Sequence, residues 1–191
     1  VEFSQGGDRV AMNAGSKYQM CKQFANGLVY SNEGEHNVIH TEKLLVLDTM
    51  VESLNGRPAF ILYNNVGDGD ARCRRLKTKY RLGGHTSSAD LIKTIKQWNA
   101  GRVPVLVCQA ASVSHGLNLQ HSGCEDIFWY GLPDDLDIYQ QANKRIDRSG
   151  GMDHVRCHRL LMKGTVDIKM AEALEGKAAR QSTFLNYIME D

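Results

Sequence analysis

Short apolar segments of buried-strand type alternate along the chain with segments of helical type. The strand-like segments are PAFILYN (58–64), VPVLVCQ (103–109) and DIFWYG (126–131), and each is a short apolar run of the kind found in buried strands. Strands separated by helices need crossover connections, which produce a parallel sheet covered on both faces. We therefore predict an α/β fold over residues 41–165, with three layers, a mainly parallel sheet and helices on both faces.

Start and stop signals for helices lie between these strands. Thr41 is suited to cap a helix that ends near Gly56 and Pro58, and Ser87 with Asp90 forms a capping-box pattern. Further helices are predicted over 69–80, 134–148 and 165–188, and a strand over 154–163. The helix after Ser87 should turn one apolar face to the core, formed by Leu91, Ile92, Ile95 and Trp98.

The remaining residues are predicted to form two extensions. Residues 1–40 are less regular and rich in glycine, with a helix near 17–25 and a short strand or hairpin near Leu28. Residues 166–191 form a closing helical extension. Because position 1 is valine rather than methionine, we expect the chain to be a piece of a longer protein.

Composition narrows the range of functions. The formal net charge is +1, with 42% hydrophobic and 24% charged residues, so nucleic acid could be bound only by a local basic patch. The five cysteines include no CxxC pair, which argues against a disulfide framework or a cysteine zinc site. We find no apolar run long enough to span a membrane and no secretory signal, and we expect a cytoplasmic protein.

Two neighbouring segments carry groups suited to phosphate. The loop QAASVSHGLNLQ (109–120) follows a strand directly, where ligands bind in parallel sheets, and its small residues let backbone amides approach an anion. The segment YQQANKRIDRSGG (139–151) places Gln141, Arg145 and Arg148 on one stripe of a helix. Taken separately, these features are equally compatible with an ordinary tight loop and a solvated helix face.

Taken in order, these motifs resemble the second RecA-like lobe of superfamily 2 helicases, in particular the Swi/Snf-type branch. GLNL (116–119) matches the end of the fifth motif of that family, and QANKRIDRSG (141–150) matches its sixth. PAFILYNN (58–65) lies where the fourth motif is found, and residues 82–101 resemble the segment after it. The resemblance covers residues 16–188. Lys144, Asp147, Gly151 and Ser114 depart from the family pattern in a manner typical of compact phage or bacterial members.

The resemblance implies a role for each matched residue. Arg148 would be the arginine finger, Arg145 a second phosphate-facing or coupling residue, and Gln141 a positioning group. Gly116 and Asn118 would line the nucleotide cleft. Two further residues would contact the nucleic-acid backbone, namely Thr86 and Ser112.

The chain contains no G-x-x-x-x-G-K-[ST] loop, the element that cradles phosphates and positions Mg²⁺. The resemblance therefore implies that ATP and Mg²⁺ are bound mainly by a preceding first RecA-like lobe. That lobe and duplex DNA are the partners that the resemblance implies. We expect no metal site in this chain and no ATP hydrolysis by it alone. The apolar run LLVLD (44–48) could imitate the strand and aspartate of a magnesium site, but the residues that follow it are helical in character.

Other functions remain open on the sequence. The chain could be a nucleic-acid or protein binding module without motor activity, and the basic run RCRRLKTKYR (72–81) could either follow phosphates or form a solvated helix face. A free-standing hydrolase would have to use Cys157 and His158. Neighbours on a strand point to opposite faces, which argues against such a pair.

Overall fold

The structure is a computed structural model that describes residues 13–30, 36–65, 69, 73–83, 86–113, 116–146 and 155–189, with residues 36 and 183–189 described by their backbone. The strands are β1 (Leu28–Tyr30), β2 (His36–Val38), β3 (Ala59–Tyr63), β4 (Arg81–Leu82), β5 (Val105–Gln109), β6 (Asp126–Trp129) and β7 (Arg156–Arg159). The helices are α1 (Ala14–Asn26), α2 (Glu42–Ser53), α3 (Ser88–Asn99), α4 (Ala110–Val113), α5 (Leu136–Lys144) and α6 (Val166–Met189).

Five of these strands form one parallel sheet in the order β4-β5-β3-β6-β7. The central strand β3 pairs with β5 on one side and β6 on the other, so the chain builds one half of the sheet before crossing to the other. Strands β1 and β2 form a separate antiparallel hairpin. The prediction of a three-layer α/β domain with a parallel sheet is confirmed.

The sheet is buried on both faces because its strands are apolar throughout. Phe60 and Leu62 of β3 pack into one hydrophobic cluster with Trp98 of α3 and with residues of α5 and α6. Ile61 and Tyr63, which point the other way, pack into a second cluster with Leu47 of α2. Alternate side chains of this one strand thus pack into the two hydrophobic clusters, as expected for a sheet covered on both faces.

The edge strand β4 was not predicted, and the helix predicted over 69–80 was too long. Lys77 adopts a left-handed φ of 50°, and Thr78 instead hydrogen-bonds through its hydroxyl to the Val105 carbonyl at 2.9 Å. The Tyr80 carbonyl accepts from the Val107 amide at 3.1 Å. The end of this basic segment therefore becomes a strand because it pairs with β5, although its sequence lacks the apolar run typical of a strand.

Helix α3 begins where its cap predicts. The Ser87 hydroxyl accepts from the Asp90 amide at 3.2 Å and donates to its carboxylate at 2.7 Å. The expectation for Ile92 was wrong, because this side chain is 66% exposed while Trp98 is fully buried. Helix α5 ends at Lys144 rather than at position 148, which leaves Arg145 at its C-cap.

The N-terminal segment packs onto the sheet domain. The predicted helix and hairpin are present as α1 and the β1–β2 pair. Lys43 of α2 donates to the Asn26 side chain at 2.9 Å and to Asp167 of α6 at 2.7 Å, and all three residues are buried. We name Asn26, Lys43 and Asp167 the polar clasp, since they join α1, α2 and α6. The division at residues 40 and 165 stays a prediction.

None of the helices in the described residues is long and apolar enough to cross a membrane.

Candidate functional site

Thr86 and Ser112 both lie beside Gly83 at the carboxyl ends of β4 and β5, although 26 positions separate them in the sequence. Gly83 lies between them with a left-handed φ of 92°, and a Cβ added there would lie only 2.6 Å from the Ser112 hydroxyl oxygen. The Thr86 hydroxyl donates to the Gly83 carbonyl at 2.9 Å. We name Gly83, Thr86 and Ser112 the hydroxyl edge. Only a glycine allows this close approach of the two loops.

Arg145 is bound to the end of the helix that follows β5. Its Nε donates to the Val113 carbonyl at 3.0 Å, and the side chain is half-buried. Helices α4 and α5 also pack against each other. The contact therefore joins the arginine segment directly to the loop that contains Gly116, three residues beyond Val113.

A buried tryptophan and its hydrogen bond position helix α5. The indole Nε1 of Trp129 on β6 donates to the Asn143 side chain at 2.8 Å, and the Trp129 and Tyr139 rings lie 4.9 Å apart. Asp135 caps the helix start by accepting from the Asp137 amide at 2.8 Å. Both ends of α5 are thus fixed, which limits the movement of the arginine at its C-terminal end.

Gly116 and Asn118 lie on the chain segment that returns from α4 to β6. Gly116 has a left-handed φ of 67°. The Asn118 carbonyl accepts from the side chain of Asn99, the last residue of α3, at 2.8 Å. A helix between parallel strands ends near the amino edge of the sheet, so Asn118 lies away from the hydroxyl edge.

The predicted stripe on α5 is only partly described. Gln141 is exposed on this helix, whereas Arg145 is turned toward Val113, so packing distinguishes two residues that sequence spacing alone placed together. Arg148 lies outside the described residues, as does Gly150. The role of Arg148 as an arginine finger stays a prediction.

Cys157 and His158 do not form a catalytic pair. The Cys157 Sγ lies 3.5 Å from the Tyr139 hydroxyl, while His158 Nε2 lies 3.0 Å from the Asp126 carboxylate on the other face of β7. Burial raises the pKa of the Cys157 thiol, which disfavours the thiolate that nucleophilic catalysis requires. Among the described residues there is no group of three His, Cys, Asp or Glu side chains that could hold a metal ion.

The aspartate of the LLVLD segment is paired with an arginine. Asp48 lies on α2, where its carboxylate accepts from the Arg75 guanidinium. A surface ion pair on a helix is the ordinary role of such a residue. The helical interpretation of this segment is therefore confirmed.

Comparison with solved structures adds a match to the crystal structure of the C-terminal part of the Fun30 ATPase domain. The TM-score is 0.60 at 17% sequence identity, and the match covers 74% of this chain and 48% of that one. The fold is RecA-like. At this level of identity the likeness establishes the architecture of the chain and does not by itself assign its chemistry.

The sequence is also similar to a phage protein. It is 30% identical over 184 residues to the "Putative protein p41" of Acyrthosiphon pisum secondary endosymbiont phage 1. The match covers 92% of this chain but 38% of the phage protein, so the chain spans well under half of that relative's length. No protein-family model matches the sequence.

Proposed function

We propose that the chain is the second motor lobe of an ATP-dependent DNA helicase or translocase of the Swi/Snf type. The observation that carries this proposal is the hydrogen bond from Arg145 to the Val113 carbonyl. It joins the two segments that resemble the fifth and sixth helicase motifs, and it does so within a RecA-like fold.

In this proposal the chain completes an ATPase site that another lobe begins. ATP would contribute a terminal phosphoryl group for transfer to water, with Mg²⁺ held mainly by the first lobe. Arg148 would stabilise the charge that develops on that group, and Gln141, exposed on α5, would help to position it. Arg145 would couple this end of α5 to the loop that contains Gly116 and Asn118. The chain alone is not expected to hydrolyse ATP.

The hydroxyl edge would contact the DNA backbone. Thr86 and Ser112 present hydroxyl groups beside Gly83, and hydroxyl groups bind phosphate oxygens without reading the base sequence. Ser112 is next to Val113, the residue that Arg145 holds. A shift of α5 that follows ATP hydrolysis would therefore reach the DNA contact through a single short helix, α4.

Substitution of Arg148 tests this proposal in a protein that joins the chain to a first lobe. Arg148→Ala should lower DNA-stimulated ATP turnover by roughly 10³-fold or more and leave ATP binding nearly unchanged. Lys144→Ala is the matched control, because Lys144 is an exposed cation four positions before Arg148 in the sequence. Unchanged turnover in Arg148→Ala would refute the role of an arginine finger.

The second candidate is a binding module without motor activity. It is favoured by the exposed lysines of the basic segment, Lys77 and Lys79. This alternative predicts duplex affinity that falls steeply with salt. It also predicts no gain in ATP turnover when a first lobe is added.

A further inference from the structure

A polar groove runs along the outer side of β4, next to the hydroxyl edge. It has a volume of about 480 Å³ and lies between the strand and helix α3. Lys79 and Arg81 line it from the strand side, and Lys93 lines it from the helix. Lys79 and Lys93 are exposed. The proposed function above uses Thr86 at one end of this groove and none of its charged residues.

The charge on the groove wall is positive. Two exposed cationic residues, Lys79 and Lys93, line it against the single carboxylate of Asp90. That carboxylate accepts a hydrogen bond from the Ser87 hydroxyl at 2.7 Å. Other polar residues of the wall are uncharged, among them Thr94 and Gln97. The groove therefore offers an anion more favourable charge than the chain as a whole, whose net charge is +1.

Arg81 borders the groove at β4, but its guanidinium is held on the other face of the sheet. Its Nε donates to the Tyr63 hydroxyl at 2.8 Å, and its guanidinium carbon lies 5.4 Å from the centre of the Tyr63 ring. Tyr63 belongs to the cluster on the face opposite Trp98 of α3. The positive charge of the groove wall therefore comes from Lys79 and Lys93.

The groove is continuous with the hydroxyl edge. Gly83 and Thr86 line it, and Gly83 is also the residue against which Ser112 packs. A strand of DNA that contacts Ser112 and Thr86 would pass directly over Gly83 toward Lys79 and Lys93. Flexible lysines suit such a path, because they neutralise phosphates without requiring one backbone geometry.

We propose that this groove binds the DNA backbone beyond the hydroxyl edge, with Lys79 and Lys93 each neutralising a phosphate. The inference rests on the proposed function for the identity of the anion. It extends the DNA-binding surface around the edge of the sheet to two lysines to which the resemblance assigned no role.

The test is duplex-DNA binding by the chain itself, measured over a range of salt concentrations with a labelled duplex of random sequence. Each phosphate contact contributes roughly 0.9 to the slope of log affinity against log salt. Lys79→Ala and Lys93→Ala should each reduce the slope by about that amount, and the double variant by about twice as much. Lys169→Ala is the matched control, an exposed lysine on α6.

A gain-of-charge variant makes the test independent of any loss of folding. Gln97→Lys places a new cation on the groove wall and should increase both the affinity and the slope, the latter by roughly 0.9. The proposal that this groove binds DNA would be overturned if Lys169→Ala lost binding to the same extent as the groove variants. It would also be overturned if the double variant left the slope unchanged. Absence of duplex binding at low salt, or binding confined to RNA, would overturn it as well. None of these outcomes changes the ATP turnover of Arg148→Ala, so the proposed function is judged separately.

Discussion

Asp126, at the amino edge of the sheet, is a buried carboxylate with three hydrogen-bonding side chains. Arg156 donates to its two oxygens at 2.8 and 2.7 Å, and Arg57 donates at 3.3 Å. His158 Nε2 lies 3.0 Å away. Burial alone would raise the pKa of Asp126, but the hydrogen bonds and cationic charges outweigh it, so the pKa lies below its ordinary value. The cluster thus joins the first residues of β6 and β7 and the residues before β3.

This carboxylate should make the fold sensitive to acid. The pKa of Asp126 is lower in the folded than in the unfolded state, where it is near 4. Asp126 therefore stabilises the fold fully above the unfolded pKa, and this contribution is lost as the pH falls through the folded-state pKa. Asp126→Asn should lower the free energy of unfolding by about 1–3 kcal/mol at pH 7, and less at pH 3. Urea unfolding at both pH values measures this. Glu125→Gln is the control, because Glu125 is 53% exposed, and an equal loss for Asp126→Asn at both pH values would contradict the prediction.

Single residues also mark where sequence reasoning reached its limit. Spacing predicted Arg145 on the same helix face as Gln141, since residues four apart share a face, and the structure has Arg145 at the C-cap of α5. Its contact with Val113 did not follow, because that contact depends on how α4 and α5 pack. The resemblance named Thr86 and Ser112 as nucleic-acid contacts, but the sequence did not show that both lie beside Gly83. In the sequence, a glycine directly after a strand could have indicated a close approach of two loops. The structure shows that Ser112 is the residue that lies against Gly83.

At the scale of elements, the polar clasp joins α1 and α6 to α2. Lys43 lies 5.3 Å from the centre of the Tyr130 ring, and Asp167 also accepts from the Met162 amide at 2.9 Å. A second link is formed by Asp134, just before α5, which receives hydrogen bonds from Tyr18 and Lys22 of α1 at 2.6 and 2.7 Å. Helix α1 is thereby tied to the loop that leads into the arginine helix.

Removal of one partner of the clasp should be costly. Lys43→Met leaves the Asp167 carboxylate buried without its cation, which should lower the free energy of unfolding by about 3–5 kcal/mol. Lys43→Met combined with Asp167→Leu should recover part of this loss, since a buried charge no longer remains. Chemical denaturation measures both. Lys17→Met, at an exposed position of α1, should change stability by less than about 0.5 kcal/mol, and a double variant less stable than Lys43→Met would argue against the clasp.

The elements differ in how readily the sequence predicts them. Strands β3, β5 and β6 were found because continuous apolar runs are typical of strands buried on both faces. Strand β4 is two residues long and lies at the edge, so its pairing depends on β5 rather than on its own composition. The ends of helices were predictable where a cap exists, as at Ser87. The end of α5 at Lys144 was not, since the residues that follow it continue the helical pattern.

At the scale of the whole molecule, two sides of the sheet domain have different roles in our account. The hydroxyl edge and the polar groove lie at the β4–β5 side, whereas the polar clasp joins the extensions near the chain segments that follow β6 and β7. Helix α5 lies between these regions and contacts α4 and α6. If the proposed function holds, such an arrangement would let a shift of the arginine helix reach the proposed DNA contacts, while α1 and α6 keep that helix in position.

The most direct test of the account joins the chain to a first lobe that carries a phosphate-binding loop. ATP turnover is then measured with and without duplex DNA, beside the first lobe alone. We predict that the joined protein gains DNA-stimulated turnover and that Arg148→Ala removes the gain. Turnover that is the same for the first lobe alone and for the joined protein, while the chain still binds duplex DNA, would contradict the motor lobe and favour a binding module.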